Sequence, residues 1–132
     1  MTMYKSSATN LQHLSVGAIL LTDQGDYVLH QKQDVFSFAT GTLEGGESPV
    51  GCLQRELMEE MGATCRVEGY AGSSAITITD HRGTWIKTTL WHHCTLTSRD
   101  ERARTDLHDG AVVVVSASAL ASLPKDQTRW PW

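Results

Sequence analysis

Hydrophobic positions along the chain fall into short runs separated by turn residues, a pattern typical of β-strands. The predicted strands cover residues 15–22, 27–33, 35–39, 65–71, 74–79, 84–96 and 112–115. The stretches 23–26 and 80–83 contain the Gly and Asp residues that favour tight turns, so each is expected to connect a hairpin. Residues 99–109 are mostly charged and are expected to form a loop.

One segment has the periodicity of a helix instead. In residues 48–61, Ser48 is a favourable N-cap, Pro49 suits the first helical position, and Gly62 follows as a stop signal. A second, shorter helix is expected over residues 116–123. The stripe of the first helix predicted to face the core consists of Val50, Leu53, Leu57 and Met61.

Together these elements predict an α/β (α+β) fold class, a sandwich built on a mixed sheet. The chain has 132 residues, of which 40% are hydrophobic and 20% charged, which is an ordinary globular balance. A chain of this length supports one core, so a single domain over residues 1–132 is expected.

Net charge limits the expected partners, and cysteine content indicates the expected compartment. The formal net charge is -4 and no basic run is present, which argues against a nucleic acid polymer and leaves room for a small anionic ligand. The three cysteines form no C-x-x-C pair, which favours a reducing compartment. Because no apolar run has the length of a membrane span or of a signal-peptide core, we expect a soluble, cytoplasmic protein without a membrane partner.

The end of the predicted helix carries an unfavourable cluster of acids. With about 100° of rotation per residue, Glu59 lies roughly -60° and Glu60 roughly +40° from Glu56, so all three share one face. They also lie near the negative end of the helix dipole, and Arg55 is the single neighbouring cation. A solvated acidic face is one interpretation. A bound Mg²⁺ or Mn²⁺ is the other, because hard cations prefer oxygen ligands.

The spacing around these acids resembles a known signature. Five residues separate Gly41 from Glu47, seven separate Glu47 from Arg55, and the run continues as R-E-L-x-E-E-x-G to Gly62. This pattern closely resembles the box of the Nudix hydrolase family, with Ala63 as a small departure at the last position. The resemblance implies an α/β/α sandwich and the metal-dependent hydrolysis of a nucleoside diphosphate linked to another moiety.

The resemblance also implies roles for individual residues. Glu56, Glu59 and Glu60 would hold the divalent metal, joined by the backbone carbonyl of Gly41. Arg55 would orient a glutamate, and the residues expected to carry the catalysis are Glu56, Arg55 and Glu59. Glu56 is the first choice for the general base, and an acid on a later loop is the alternative.

Other residues of the box and of that loop receive smaller roles. Glu47 is expected to brace the loop against the helix, and Glu44 lies near enough to contribute. Asp106 and Asp109 are the candidate later acids, although a solvated loop acid is the favoured interpretation of each. Cys52 is expected to be packed and inert.

Residues outside the box are weaker candidates. His30, Lys32, Arg82 and Lys87 are candidates for phosphate or base contacts, although each also fits an ordinary surface position. No signal specific to one substrate is present, so a nucleoside triphosphate or related nucleotide is the default. The apolar tail, residues 130–132, is expected to pack on the domain or against a homodimer partner.

Two other classes of function remain open at this point. One is a non-catalytic nucleotide-binding regulatory module on the same fold, which would not need the intact glutamates. The other is a structural domain whose acidic helix is only a solvated face.

Overall fold

A computed structural model describes residues 3–5 and 11–129 of the chain. The predictions for the tail, residues 130–132, lie outside the described residues. The strands are β1 (Met3–Lys5), β2 (Leu11–Leu21), β3 (Tyr27–Lys32), β4 (Val35–Ser37), β5 (Thr40–Thr42), β6 (Ala63–Asp80), β7 (Gly83–Arg99), β8 (Ala111–Val115) and β9 (Thr128–Arg129). The helices are α1 (Pro49–Met61) and α2 (Ala117–Ala121), and short 3₁₀ turns form at Glu101–Ala103 and Lys125–Gln127.

The strands form one mixed sheet with the order β6-β7-β2-β3-β4-β9. The central pair, β2 and β7, is parallel, whereas β6–β7 and β2–β3 are antiparallel hairpins. Additional pairings attach β1 and β5 to β2, and β8 to β3. The predicted mixed sheet is therefore confirmed.

Each face of the sheet is covered by one helix, which completes the three-layer sandwich. On one face α1 packs Leu53 and Leu57 against Val16 of β2, within a continuous buried cluster. On the other face Leu120 of α2 packs with Trp91 and neighbouring apolar side chains. Alternation along β2 sends successive side chains into the two clusters, which is why a single strand supports both layers.

The predicted boundaries of α1 are confirmed by its caps. The Ser48 hydroxyl accepts a hydrogen bond from the Gly51 amide at 3.0 Å. Gly62 has a φ of 64°, the left-handed conformation that ends helices, and its amide donates to the Met58 carbonyl. One member of the predicted core stripe is wrong, however. Val50 lies in the first turn, before α1 reaches the sheet, and its side chain is 39% exposed.

Two details of the strands also differ from the sequence prediction. Residues 65–71 and 74–79 belong to one continuous strand, β6, whose irregular register between Tyr70 and Gly72 lets the chain bend without leaving the ladder. Gly41 lies in β5, opposite Val16 of β2, rather than in a free loop. That pairing fixes the backbone just before α1.

Neither α1 nor α2, the helices in the described part of the chain, has the length and apolar character needed to cross a bilayer.

Candidate functional site

The backbone of β5 lies directly against the acidic face of α1. A methyl group added to Gly41 would overlap the Cγ and Cδ atoms of Glu56, so only glycine allows this approach. Glu56 and Glu60 border the same tightly packed space, together with Gly41, Thr40 and Val16. Burial raises the pKa of Glu56, which indicates a carboxylate held away from bulk water.

Arg55 holds the outer part of the acidic cluster together. Its guanidinium donates to both carboxylate oxygens of Glu47, at 2.7 and 3.0 Å, in a bidentate pair. The same group contacts Glu56 at 3.1 Å and Glu59 at 3.2 Å, with Glu44 further away at 3.6 Å. One cation therefore ties the loop before α1 to two of the three glutamates on the helix.

Glu60 has a different environment, deep in the protein. Glu60 is 3% exposed and His30 is 1% exposed. Oε1 of Glu60 lies 3.9 Å from Nε2 of His30. At that separation no hydrogen bond forms. Glu60 Oε2 and both ring nitrogens of His30 are buried without a hydrogen-bond partner among the described residues. Burial, followed by the nearby Asp109, raises the pKa of Glu60 to about 10, and burial lowers the pKa of His30.

The loop after β7 is fastened to the end of α1. Arg104 donates to the backbone carbonyls of Glu60, at 2.7 Å, and of Gly110, at 2.6 Å. The amide of Asp106 donates to the carbonyl of Glu59 at 2.9 Å. A cation at this end of a helix satisfies unpaired carbonyls and favours the dipole. As a result Asp109 is brought beside Glu60 and His30, and ligand atoms of these three side chains lie within 4.8 Å of one another.

Glu60→Gln is expected to stabilise the protein when no divalent cation is present. The pKa of Glu60 is about 10, above its ordinary value of 4.5, so the folded protein keeps a proton that the unfolded chain releases. The stability that this proton contributes is complete below about pH 4.5 and is lost as the pH rises towards 10. At about pH 8 in EDTA the amide should therefore add roughly 0.5–2 kcal/mol, or a few degrees in Tm.

Thermal unfolding at a series of pH values checks this expectation. The gain of Glu60→Gln over the wild type should grow between about pH 5 and pH 9. A lower Tm for the variant, or a gain that does not change with pH, would contradict it.

Three basic side chains are the predicted candidates for substrate contacts: Lys32 of β3, Lys87 of β7 and Arg82 in the turn between β6 and β7. Lys87 of β7 is half-buried, and although Asp109 and Glu60 oppose the effect, burial lowers its pKa. Lys32 shares with Asp109 a surface cleft of about 350 Å³. Arg82 forms an ion pair with Asp80 at 2.6 Å, and its guanidinium carbon lies 4.7 Å from the ring centroid of Trp85.

Two histidines near the site have environments that the sequence does not predict. His30 is among the predicted contact candidates, but its alternative interpretation as a surface residue is wrong, since its side chain is buried. His13 stacks on Trp85 and bonds the Thr42 hydroxyl at 2.8 Å, and burial and then Lys87 lower its pKa to about 4. Both histidines interrupt predominantly apolar strands, which is the one signal that the sequence offered. Cys52 is fully buried with its pKa raised to about 12, in agreement with a packed, inert thiol.

Comparison with known proteins gives a consistent result. A family model described as the NUDIX domain matches residues 11–132. Among solved structures, the chain is similar to a NUDIX hydrolase from Nitrosomonas europaea at 22% identity and a TM-score of 0.68, over 91% of this chain and 82% of that one. It is similar to the MutT protein from Methanosarcina mazei Go1 at 17% identity and a TM-score of 0.66, over 89% and 86%.

A third solved structure is more similar in sequence and less similar in shape. The E. coli ORF135 protein is 27% identical over 83% of this chain and 78% of its own, with a TM-score of 0.54. No curated protein matches the chain. The family model covers most of the sequence, and the structural likenesses agree with it in fold.

Proposed function

The chain belongs to the NUDIX hydrolase family, and we propose that it hydrolyses a phosphoanhydride bond in a nucleoside diphosphate linked to another moiety. The proposed substrate is a nucleoside triphosphate or a related nucleotide, and the proposed cofactor is Mg²⁺ or Mn²⁺. One observation carries the proposal: the acidic face of α1 packs directly against the backbone of Gly41, with Glu56 in contact with it and Glu60 bordering the same packed space.

The residues present fit a hard divalent cation. Glu56 and Glu60 offer carboxylate oxygens, and Glu56 lies against the backbone of Gly41, whereas Glu59 pairs with Arg55. Glu60 Oε2 is buried with no hydrogen-bond donor among the described residues, so it lacks the positive partner that a buried carboxylate needs. The raised pKa values of Glu56 and Glu60 have the same meaning, since a cation would favour their charged forms.

When bound, such a cation neutralises phosphate oxygens and lowers the pKa of a coordinated water. In the proposed mechanism Glu56 accepts a proton from the attacking water. Arg55 fixes the orientation of Glu56 and Glu59 through contacts at 3.1 and 3.2 Å, which keeps the carboxylates ready for their ligand.

The substrate is proposed to approach along the face of the sheet that carries the basic side chains. Lys87 is the best supported phosphate contact, because it lies close enough to Asp109 and Glu60 for their charges to act on it. Lys32 borders the open cleft beside Asp109. Arg82 is a weaker candidate, since its guanidinium already pairs with Asp80.

A substrate screen tests the proposal directly. The purified protein would be incubated with nucleoside triphosphates, dinucleoside polyphosphates and nucleotide sugars at millimolar Mg²⁺, and the phosphate products resolved by chromatography. At least one nucleotide should be cleaved at a phosphoanhydride bond, and EDTA should abolish the reaction. Hydrolysis in ¹⁸O-labelled water would identify the phosphorus atom that is attacked.

Failure would take one of two forms with different meanings. Tight nucleotide binding in calorimetry without turnover would indicate a non-catalytic binding module. Absence of both turnover and binding of Mg²⁺ or Mn²⁺ would indicate a structural domain with a solvated acidic helix.

A further inference from the structure

His30, Glu60 and Asp109 form a polar cluster in which only Glu60 belongs to the acidic helix α1. His30 lies in β3 directly after the buried apolar residues Val28 and Leu29, and both of its ring nitrogens lack partners among the described residues. Buried polar atoms of this kind are rare in folded proteins, and each requires an explanation. Three such atoms occur here, namely Glu60 Oε2 and the two ring nitrogens of His30. The two side chains that carry them approach to 3.9 Å.

Three different elements hold these side chains in place. β3 carries His30, the last turn of α1 carries Glu60, and the turn before β8 carries Asp109. Gly110 packs so closely on the Gln31 backbone that a methyl group there would overlap its carbonyl oxygen. Arg104 ties the Gly110 carbonyl to the Glu60 carbonyl. Packing of these elements therefore holds the three side chains close together before any ligand binds.

The chemistry of the donor set is that of a metal site. The ligand atoms of His30, Glu60 and Asp109 lie within 4.8 Å of one another, a spacing that one ion can bridge with small side-chain rotations. His30 Nε2 is the ring nitrogen that faces Glu60 Oε1. Asp109 is exposed and borders the open cleft beside Lys32, which gives an ion a path from solvent.

We propose that His30, Glu60 and Asp109 form a mixed nitrogen–oxygen site for a divalent transition metal, with His30 Nε2 as a direct ligand. One imidazole and two carboxylates suit Mn²⁺ or Co²⁺ better than Mg²⁺, which prefers oxygen ligands throughout. The site gives this chain a preference among cations that carboxylates alone would not produce. The inference rests on the proposed role of Glu60 as a metal ligand. It is tested without nucleotide, so that failure of this metal site is distinguished from failure of the proposed hydrolase activity.

Pulsed electron paramagnetic resonance of the Mn²⁺-loaded full chain measures the ligand directly. We expect coupling between the Mn²⁺ electron spin and a histidine nitrogen, identified by a change of signal when the protein contains [¹⁵N]histidine. This measurement needs no variant, so it remains decisive even if substitutions at the buried position prevent folding. Absence of nitrogen coupling, or failure of Mn²⁺ to bind, overturns the proposal.

Variants separate a metal ligand from a packing residue. His30→Leu, with a side chain of similar size, should raise the Kd for Mn²⁺ at least about 10-fold and change the Kd for Mg²⁺ much less. Asp109→Asn should weaken Mn²⁺ binding in the same direction. His93→Leu is the matched control, because His93 is an exposed histidine of β7. It should leave both Kd values and the nitrogen coupling unchanged.

Other results would count against the assignment. If His30→Leu raises Tm but leaves the Mn²⁺ and Mg²⁺ affinities as in the wild type, the histidine is a buried polar residue that serves no metal. Equal losses for Mn²⁺ and Mg²⁺ would indicate an indirect effect on Glu60 and would equally overturn the direct-ligand role.

Discussion

Glu56→Gln is expected to lower kcat/KM for the cleaved nucleotide in Mg²⁺ by about 10²–10⁴-fold, the loss that corresponds to several kcal/mol of charge stabilisation. Glu56 packs against the backbone of Gly41 and borders the same packed space as Glu60. The amide keeps the size of the side chain but removes the negative charge and the basic oxygen. A metal ligand and the proposed base would thus be lost in one substitution.

Steady-state kinetics across a range of Mg²⁺ concentrations is the appropriate measurement. Glu68→Gln is the control, because Glu68 is an exposed glutamate of β6 that accepts hydrogen bonds from Thr95 and Arg66 and has no contact with the site. It should retain wild-type activity. If Glu56→Gln is as active as Glu68→Gln while both are folded, the assignment of Glu56 is wrong.

Gly41→Ala is the second substitution with a large expected effect. The added methyl group would overlap Cγ and Cδ of Glu56, and the flexible glutamate side chain is the partner that yields. A displacement of about 1 Å in a catalytic group lowers activity by as much as about 10²-fold. Because the strain is relieved by rotation of one side chain rather than by the sheet, we expect Tm to fall by no more than a few degrees.

The same loop provides the matched control. Gly45 has no atom within 4 Å of the position that a Cβ would occupy, and its φ is not in the positive range. Gly45→Ala should therefore be close to wild type in both kcat/KM and Tm. Equal activity of the two alanine variants would show that the approach of Gly41 to Glu56 has no catalytic role.

The local part of the site was predictable from sequence. The boundaries of α1 depend on Ser48, Pro49 and Gly62, whose effects act within one turn of the chain, and all three lie as predicted. The clustering of Glu56, Glu59 and Glu60 on one face follows from helical rotation alone. Spacing of this kind is also what the family signature records, so family and fold class were accessible without coordinates.

Sequence reasoning was less successful where the environment of a residue depends on distant packing. Helical rotation predicts one shared face for the three glutamates, whereas in the structure Glu60 faces the core and Glu59 pairs with Arg55. Sequence reasoning placed Val50 in the core, because periodicity gives the direction of a side chain and not where the helix meets the sheet. It divided β6 at its glycines, because a bulge and a turn have similar composition.

By itself, then, the sequence determined the helix, its caps, the spacing of the acids and the mixed α and β character, since each depends on contacts within a few residues. The tertiary structure decided that His30 and Asp109 meet Glu60, and that Arg104 reaches the Glu60 carbonyl across 44 positions of sequence. Such contacts arise from the order of strands in the sheet and from the packing of α1 on it. No local spacing encodes them, because they are fixed only when the whole core is assembled.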